Sequence, residues 1–398
     1  MSHMNATPEP ARRVSARLAA IQESATLAVD AKAKALKAEG RPVIGFGAGE
    51  PDFPTPAHIV EVAAAATRDP KNHRYTPAAG LPELRKAIAD KTFADSGVEV
   101  SPANILVTNG GKQAVYQAFA AITDEGDEII LPAPYWTTYP EAIRLCGGVP
   151  VEVFAGSDQE YKVTVEQLEA ARTEKSKAVL ICSPSNPTGS VYSADELRAI
   201  GQWALDNGIW VISDEIYEHL VYGDEPVARI LQVVPELAIQ TIILNGVAKT
   251  YAMTGWRLGY VVAPPAITRA IRALKGMVSV CAPLPSQWAG VAALDGPQDC
   301  VAAFRASYDE RRRALMRVLT ESGFTYGHPY GAFYIFANTS ATGVPAFDLA
   351  MRLLLEGRVL VFPGTGFGEG WKDYLRFSLL QPTPVLLEAL DRLKRVVG

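Results

Sequence analysis

No apolar run in this chain approaches the roughly 20 residues that a bilayer-spanning helix requires. No charged-then-apolar leader opens it either, and both absences point to a soluble cytoplasmic protein. Cysteine is scarce: Cys146, Cys182, Cys281 and Cys300 are scattered without disulfide or metal-ligand spacing. That pattern argues against a metal site and predicts buried free thiols in a reducing compartment. Basic runs are also missing. A net charge of −5 with both signs interspersed argues against a nucleic-acid-binding surface and for a small substrate. A G-x-G-x-x-G turn between strand and helix is absent, which argues against a nicotinamide-dependent oxidoreductase; the glycines at Gly45, Gly47 and Gly49 are spaced G-x-G-x-G and run into prolines. Internal repeats and low-complexity tracts are lacking as well.

What is present is an ordinary globular composition, 48% hydrophobic and 20% charged over 398 residues, enough for a large core and a second, smaller domain. Met1 to Met4 reads as an expression-vector remnant, followed by a polar lead. A helix is expected from Thr26 as cap to Glu39, stopped by Gly40. Thr55-Pro56 predicts a cap and a first-turn proline for a helix to about Arg68, and Pro82 opens another to about Ser96. Buried strands follow at Ile105 to Thr108, Glu128 to Leu131, Val149 to Phe154, Ala178 to Cys182, Ile209 to Ser213, Thr241 to Leu244 and Leu258 to Val262. Helices lie between several of them, among them Ala194 to Asn207, which Ser193 and Glu196 open as a capping box and Gly208 closes.

Apolar strands alternating with helices predict an α/β fold, a mostly parallel sheet with helices on both faces. After about residue 300 the pattern changes to a long helix, Val301 to Ser322, and short strands near Phe333 to Ala337, Val359 to Phe362 and Tyr374 to Leu379, which reads as a smaller α+β domain. The expected division is residues 1–11 as tag and disordered lead, 12–50 as a segment packing with the small domain, 51–300 as the large domain and 301–398 as the small one.

Within that frame one lysine stands out. Lys249 lies on an irregular crossing between two buried strands, among Gly, Val, Ala, Tyr and Met, with Arg257 eight residues downstream. An apolar setting beside a cation favours the neutral amine, the nucleophile that condenses with a carbonyl. A surface-loop lysine is the competing reading. In parallel sheets ligands bind beyond the carboxyl ends of strands. Three clusters fall there: Asn109-Gly110-Gly111 at a helix start, suited to an anion or to a plain tight turn; Ser183 to Gly189; and Asp214 to Tyr217. A nucleophilic lysine, a strand-end carboxylate and a phosphate cradle together suggest pyridoxal phosphate, whose ring nitrogen works best protonated beside an anion. Asp214 can be that anion or merely a helix cap, with Tyr217 near it at a helix start.

These stretches resemble the class I pyridoxal-phosphate aminotransferases of fold type I, in the bacterial branch similar to aspartate and prephenate aminotransferases. The motifs run in family order: Ala48 to Phe53, Tyr75-Thr76-Pro77, Gly110 to Ala114, Pro134-Tyr135-Trp136, Ser185 to Gly189, Asp214 to Tyr217, Lys249 to Arg257 and Tyr374-Leu375-Arg376. The resemblance implies that Lys249 is the Schiff-base lysine and general base, Asp214 the partner of the ring nitrogen, and Asn186 with Tyr217 the pair on the ring oxygen. Trp136 resembles the ring that stacks on the cofactor. Gly110, Gly111, Lys112 and Arg257 resemble the phosphate site. Tyr75 resembles the tyrosine that reaches the phosphate of a neighbouring subunit, which implies a homodimer with shared sites. Arg376 and Gly49 resemble the binders of the substrate α-carboxylate; Lys112, with Ser24 and Thr26, resembles the group facing a distal carboxylate.

Amino transfer from L-aspartate to 2-oxoglutarate by a ping-pong route is the implied reaction. An aromatic or kynurenine aminotransferase, or a C–S β-lyase, stands as the alternative. Three departures matter: Gly246 and Ala248 stand where serine is frequent, and Gln22 where prephenate-using relatives carry lysine, which weakens the prephenate reading.

Overall fold

The structure is a computed structural model that describes residues 15–19, 21, 26–47, 49–223 and 227–397. The expectations for residues 1–11, Gln22, Ser24 and Ala48 fall outside the described residues.

A short strand, β1 (Ile44–Gly45), precedes the main sheet. That sheet has seven strands: β2 (Ile105–Thr108), β3 (Glu128–Ala133), β4 (Val149–Phe154), β5 (Ser176–Cys182), β6 (Trp210–Asp214), β7 (Thr241–Gly246) and β8 (Gly259–Val262), in the order β2-β8-β7-β6-β5-β3-β4. Only β8 runs antiparallel to its neighbours β2 and β7. The other pairings are parallel. The two-residue side-chain period then sorts each strand between two cores. Val107, Ile130, Val179, Ile181, Val211 and Ile243 face one layer of helices, packing on Ile59, Leu84, Ile200 and Trp203. Leu106, Ile129, Leu131, Leu180, Ile212 and Ile242 face the other, packing on Val115, Phe119, Tyr139 and Ile271. Both faces are buried, which is why the strands read as continuous apolar runs.

Beyond the long helix Asp299–Glu321 come β9 (Thr325–Tyr326), β10 (Tyr334–Asn338), β11 (Val359–Leu360), β12 (Phe362–Pro363) and β13 (Tyr374–Ser378). Four of them form an antiparallel sheet, β12-β13-β10-β9, while β11 pairs in parallel with β1. The expected single strand from Val359 to Phe362 is therefore two: the chain changes partner at the fully buried Val361. The N-terminal helix Thr26–Ala38 buries Val29, Ala33 and Leu36 against Leu354 and Leu360.

Other expectations needed correction. Pro56, not Thr55, caps the helix Ala57–Arg68; the Thr55 hydroxyl instead donates to the Ala252 carbonyl at 2.7 Å. No helix begins at Tyr217, because residues 216–219 form a turn held by hydrogen bonds such as Glu218 N–H to Glu215 C=O. All four cysteines are free but half-buried rather than buried. The capping box at Ser193 and Glu196 and the left-handed Gly208 after the helix are as expected. Among the described residues no helix is long and apolar enough to cross a membrane.

Candidate active site

The strand ends converge on a cavity of about 440 Å³ between the main sheet and the C-terminal sheet, in the range of small-molecule sites. Its lining includes Gly49, Gly111, Lys112, Trp136, Asn186, Asp214, Tyr217, Lys249, Arg257 and Arg376. Of the residues singled out in the sequence, Gly110 sits just behind the lining. Tyr75 lies outside the cavity altogether, 86% exposed to solvent.

Lys249 follows β7 on the irregular crossing expected of it, and its Nζ donates to the Gly49 carbonyl from across the cavity. The amine also lies 5.7 Å from the centre of the Phe333 ring. Burial lowers its pKa to about 8; the Glu50 charge opposes this, while Arg376 and, less strongly, Arg257 push the same way. Arg257 thus depresses the amine as expected, but Arg376 does more.

Asp214 closes β6 at the cavity floor, 5% exposed. Its Oδ2 accepts from the Tyr139 hydroxyl at 2.6 Å and its Oδ1 from the Ile216 N–H at 3.2 Å. Burial raises its pKa, against those two hydrogen bonds and the charge of Lys249. A buried carboxyl in this condition is one that a protonated ring nitrogen would stabilise as the anion. Tyr217 is buried with its hydroxyl 3.5 Å from that of Tyr334.

Arg376, on β13, is buried at the cavity wall, 6% exposed. Its Nη1 donates to Asn186 Oδ1 at 3.1 Å and its Nη2 to the Gly47 carbonyl at 2.7 Å. The guanidinium lies 4.4 Å from the centre of the Tyr334 ring and 4.9 Å from that of Phe367. Among the described residues its buried Nε makes no hydrogen bond, and each Nη, with one N–H engaged, keeps a second N–H for an incoming carboxylate. With Asn186 Oδ1 engaged by Arg376, the Asn186 amide N–H groups are left for a ligand oxygen.

Gly110 caps the twelve-residue helix Gly111–Ile122 with φ +88°. A Cβ there would stand 2.6 Å from Arg257 Nη2, and among the described residues nothing lies within 4 Å of a Cβ position on Gly111. Glycine therefore lets the guanidinium reach the helix start and leaves open space before its free N–H groups. Arg257 is exposed and holds a left-handed backbone at φ +53°, a conformation that costs an L-residue roughly 1–2 kcal/mol. Lys112 Nζ lies 5.5 Å from the centre of the Trp136 ring.

Lys249, Asp214, the Gly111 helix start, Arg257 and the Asn186 amide fit pyridoxal phosphate in type and placement: an amine, an anion, an anion cradle and a donor around one cavity. Nothing in the sequence singled out Tyr139 or Phe367, while Glu50 stood only within the motif Ala48 to Phe53, and Tyr334 and Phe362 only within expected strands. Tyr139 lies three residues after Trp136 in the same turn, a spacing that would have flagged it. Glu50 directly follows Gly49, whereas Tyr334, Phe362 and Phe367 enter from the C-terminal segments and carry no local signal.

The family model described as aminotransferase class I and II matches residues 41–393 of the chain. An aspartate aminotransferase of Streptomyces avermitilis is 54% identical over 99% of this chain and 98% of its own length. One from Geobacillus stearothermophilus is 42% identical over 96% of this chain and 98% of its own. Among solved structures, the Thermus thermophilus aspartate aminotransferase with maleate superposes with a TM-score of 0.91 at 39% identity, covering 97% of this chain and all of that one.

Proposed function

The chain belongs to the aminotransferase class I and II family, and from that premise we infer that it transfers the amino group of L-aspartate to 2-oxoglutarate with pyridoxal 5'-phosphate as cofactor. The observation that carries this reading is the convergence of the Lys249 amine, the buried Asp214 carboxyl and the enclosed Arg376 guanidinium on one cavity. The residues that would hold the cofactor are Lys249 at its aldehyde carbon, Asp214 at the ring nitrogen, Asn186 and Tyr217 at the ring oxygen, and Trp136 at the ring face. Gly110, Gly111 and Lys112, through backbone N–H groups, and Arg257 would take the phosphate. When bound, the cofactor supplies an electron sink for the charge left on the substrate Cα.

The protein's own groups do the rest. With its pKa lowered to about 8, Lys249 has a neutral fraction near neutral pH that an ordinary lysine lacks, so it can take the Cα proton and return it. Arg376 offers a planar fork, already fixed by Asn186 and the Gly47 carbonyl, to the substrate α-carboxylate, with the Gly49 backbone opposite. Lys112 faces the distal carboxylate of a dicarboxylic substrate, and the relative solved with maleate supports that class. Tyr334, Phe362 and Phe367 keep water from the Arg376 side.

Tyr75, exposed and outside this cavity, would serve the phosphate in a second copy, making a homodimer with shared sites. Residues 51–300 would then form the large domain and 301–398 the small one, with 12–50 packed on the latter. The half-buried free thiols suit the cytoplasm.

The test is to purify the protein, record its visible spectrum, reduce it with borohydride and map the labelled peptide, then offer a panel of amino donors with 2-oxoglutarate. Label on Lys249 and oxaloacetate from aspartate are expected. Label on another residue would overturn the site; pyruvate and ammonia from a cysteine conjugate without an acceptor would overturn the reaction.

A further inference from the structure

The turn after β6 carries side chains in two directions. Asp214 and Tyr217 face the cavity, while Glu215 and Glu218, 5% and 3% exposed, point away from it into a buried cluster of charges. Glu218 is the centre of that cluster. Its Oε1 accepts from Lys91 Nζ, on the helix Pro82–Ser96, and from Asn245 Nδ2 at 2.5 Å; its Oε2 accepts from Arg229 Nε at 2.7 Å. Asn245 in turn accepts the Gly246 N–H on its Oδ1 at 2.7 Å, at the strand end four residues before Lys249. Arg229 and Lys91 are tied to the same helix end, the first through the Asp95 carbonyl at 2.9 Å and the second through the Asp95 carboxylate at 2.8 Å.

One carboxylate therefore joins the segment bearing Asp214 and Tyr217 to the segment leading to Lys249. We propose that Glu218 is a positioning residue: held by Lys91 and Arg229 and bonded to Asn245, it sets the spacing of Asp214, Tyr217 and Lys249 from behind the cavity, without touching substrate or cofactor. The inference rests on the reading of the cavity as a pyridoxal phosphate site.

Three observations favour positioning over a mere surface ion pair. The Glu218 side chain is only 2% exposed, and its partners Lys91 and Arg229 are 13% and 11% exposed, so water screens them little. Burial would raise the Glu218 carboxyl, but the charges of Lys91, His219 and Arg229 outweigh it and hold it ionised; the neighbouring Glu215, with burial and the Glu218 charge against it, is pushed upward. Finally, a turn whose alternate side chains are locked on one side leaves those on the other few arrangements. Asp95, Glu218 and His219 do bring ligand atoms within 4.8 Å of one another, but Lys91 and Arg229 already neutralise those carboxylates, and their charge opposes a metal ion.

The test uses the loaded enzyme and the cofactor-free protein. Glu218→Gln is expected to lower kcat about tenfold or more while KM for both substrates stays within about threefold, since small displacements of reacting groups cost rate before they cost binding. In the cofactor-free protein the pH midpoint for acetylation of Lys249, read by peptide mass spectrometry, should also move. Asn245→Ala keeps every charge and removes the bond from β7 to Glu218 together with the Asn245 bond to the Gly246 N–H; it should shift both readouts the same way by a smaller factor, and it decides the matter if Glu218→Gln fails to fold. A lower melting temperature with kcat and the Lys249 midpoint unchanged in Asn245→Ala would overturn the proposal. A wild-type protein that binds no cofactor would instead overturn the reading of the cavity.

Discussion

Lys249 and Lys275 meet the same physical penalty in two regions of the molecule. Burial lowers each to about pH 8. Lys275, in the last turn of the helix Pro265–Val278, is fully covered and donates to the Ala78 carbonyl at 2.7 Å, pinning the loop that carries Tyr75. Gln287 holds the same loop through the Leu81 N–H at 2.8 Å and the Thr76 hydroxyl at 3.1 Å. Lys249 opens instead on a cavity, opposite a buried carboxyl and two guanidinium groups. A depressed amine is thus no mark of chemistry by itself. Space for a reactant and groups facing that space make the difference.

The sharpest way to break this contrast is to exchange the roles. Lys249→Ala should abolish amino transfer, by about 10⁴-fold or more for a group acting as both nucleophile and base, whereas Lys275→Ala should leave turnover within about threefold. A coupled assay for oxaloacetate checks both; comparable losses would end the distinction. Next in size, Asp214→Asn keeps the shape but removes the anion facing the Lys249 side of the cavity, and kcat should fall by about 10²–10³-fold in single-turnover measurements. Arg376→Lys replaces a fixed planar fork by a point charge, so KM for aspartate should rise by about 10- to 100-fold with a smaller loss in kcat.

The smallest effects concern pH. Below about 8 both amines carry a proton; above it they become neutral. In the cofactor-free protein, acetylation of Lys249 should therefore rise through about pH 8, while the covered Lys275 should stay unlabelled until the protein unfolds. Lys275 should appear instead in stability. Its folded value lies below the 10.5 of a free lysine, so between about 8 and 10.5 the unfolded chain binds more protons. Stability contributed at Lys275 is present above that window and lost as pH falls through 8. Denaturant titrations should show wild type gaining on Lys275→Met as pH rises; a flat or opposite trend would mean that Lys275 is not buried in the charged form near neutrality.

Much of the site was legible one segment at a time. Lys249 could be singled out by its apolar surroundings, and Asp214 and the Gly110-Gly111 helix start by their places at strand ends. The resemblance to known aminotransferases added Asn186, Arg376 and Tyr75. Harder to see was which neighbours would complete each group. Tyr139 lies in the same turn as Trp136 but reaches Asp214, 75 residues away, and Tyr334 approaches Tyr217 across 117. The misplaced helix at Tyr217 has a similar origin: Glu215 and Glu218 point into a charge cluster whose other members come from distant segments, and that cluster holds the chain in a turn.

The sequence by itself determined the order of strands and helices, the Ser193 cap and the glycine turns, because backbone hydrogen bonding and side-chain period act over a few residues. It also determined which chemical groups would sit at strand ends. Only the tertiary structure decided that Arg376 would clasp Asn186 across 190 positions and that Lys91 would meet Glu218 across 127. Those pairings depend on the strand order β2-β8-β7-β6-β5-β3-β4 and on how the C-terminal sheet packs over it. The main-sheet cores and the C-terminal core are assembled from segments far apart in the chain, so no local pattern encodes them.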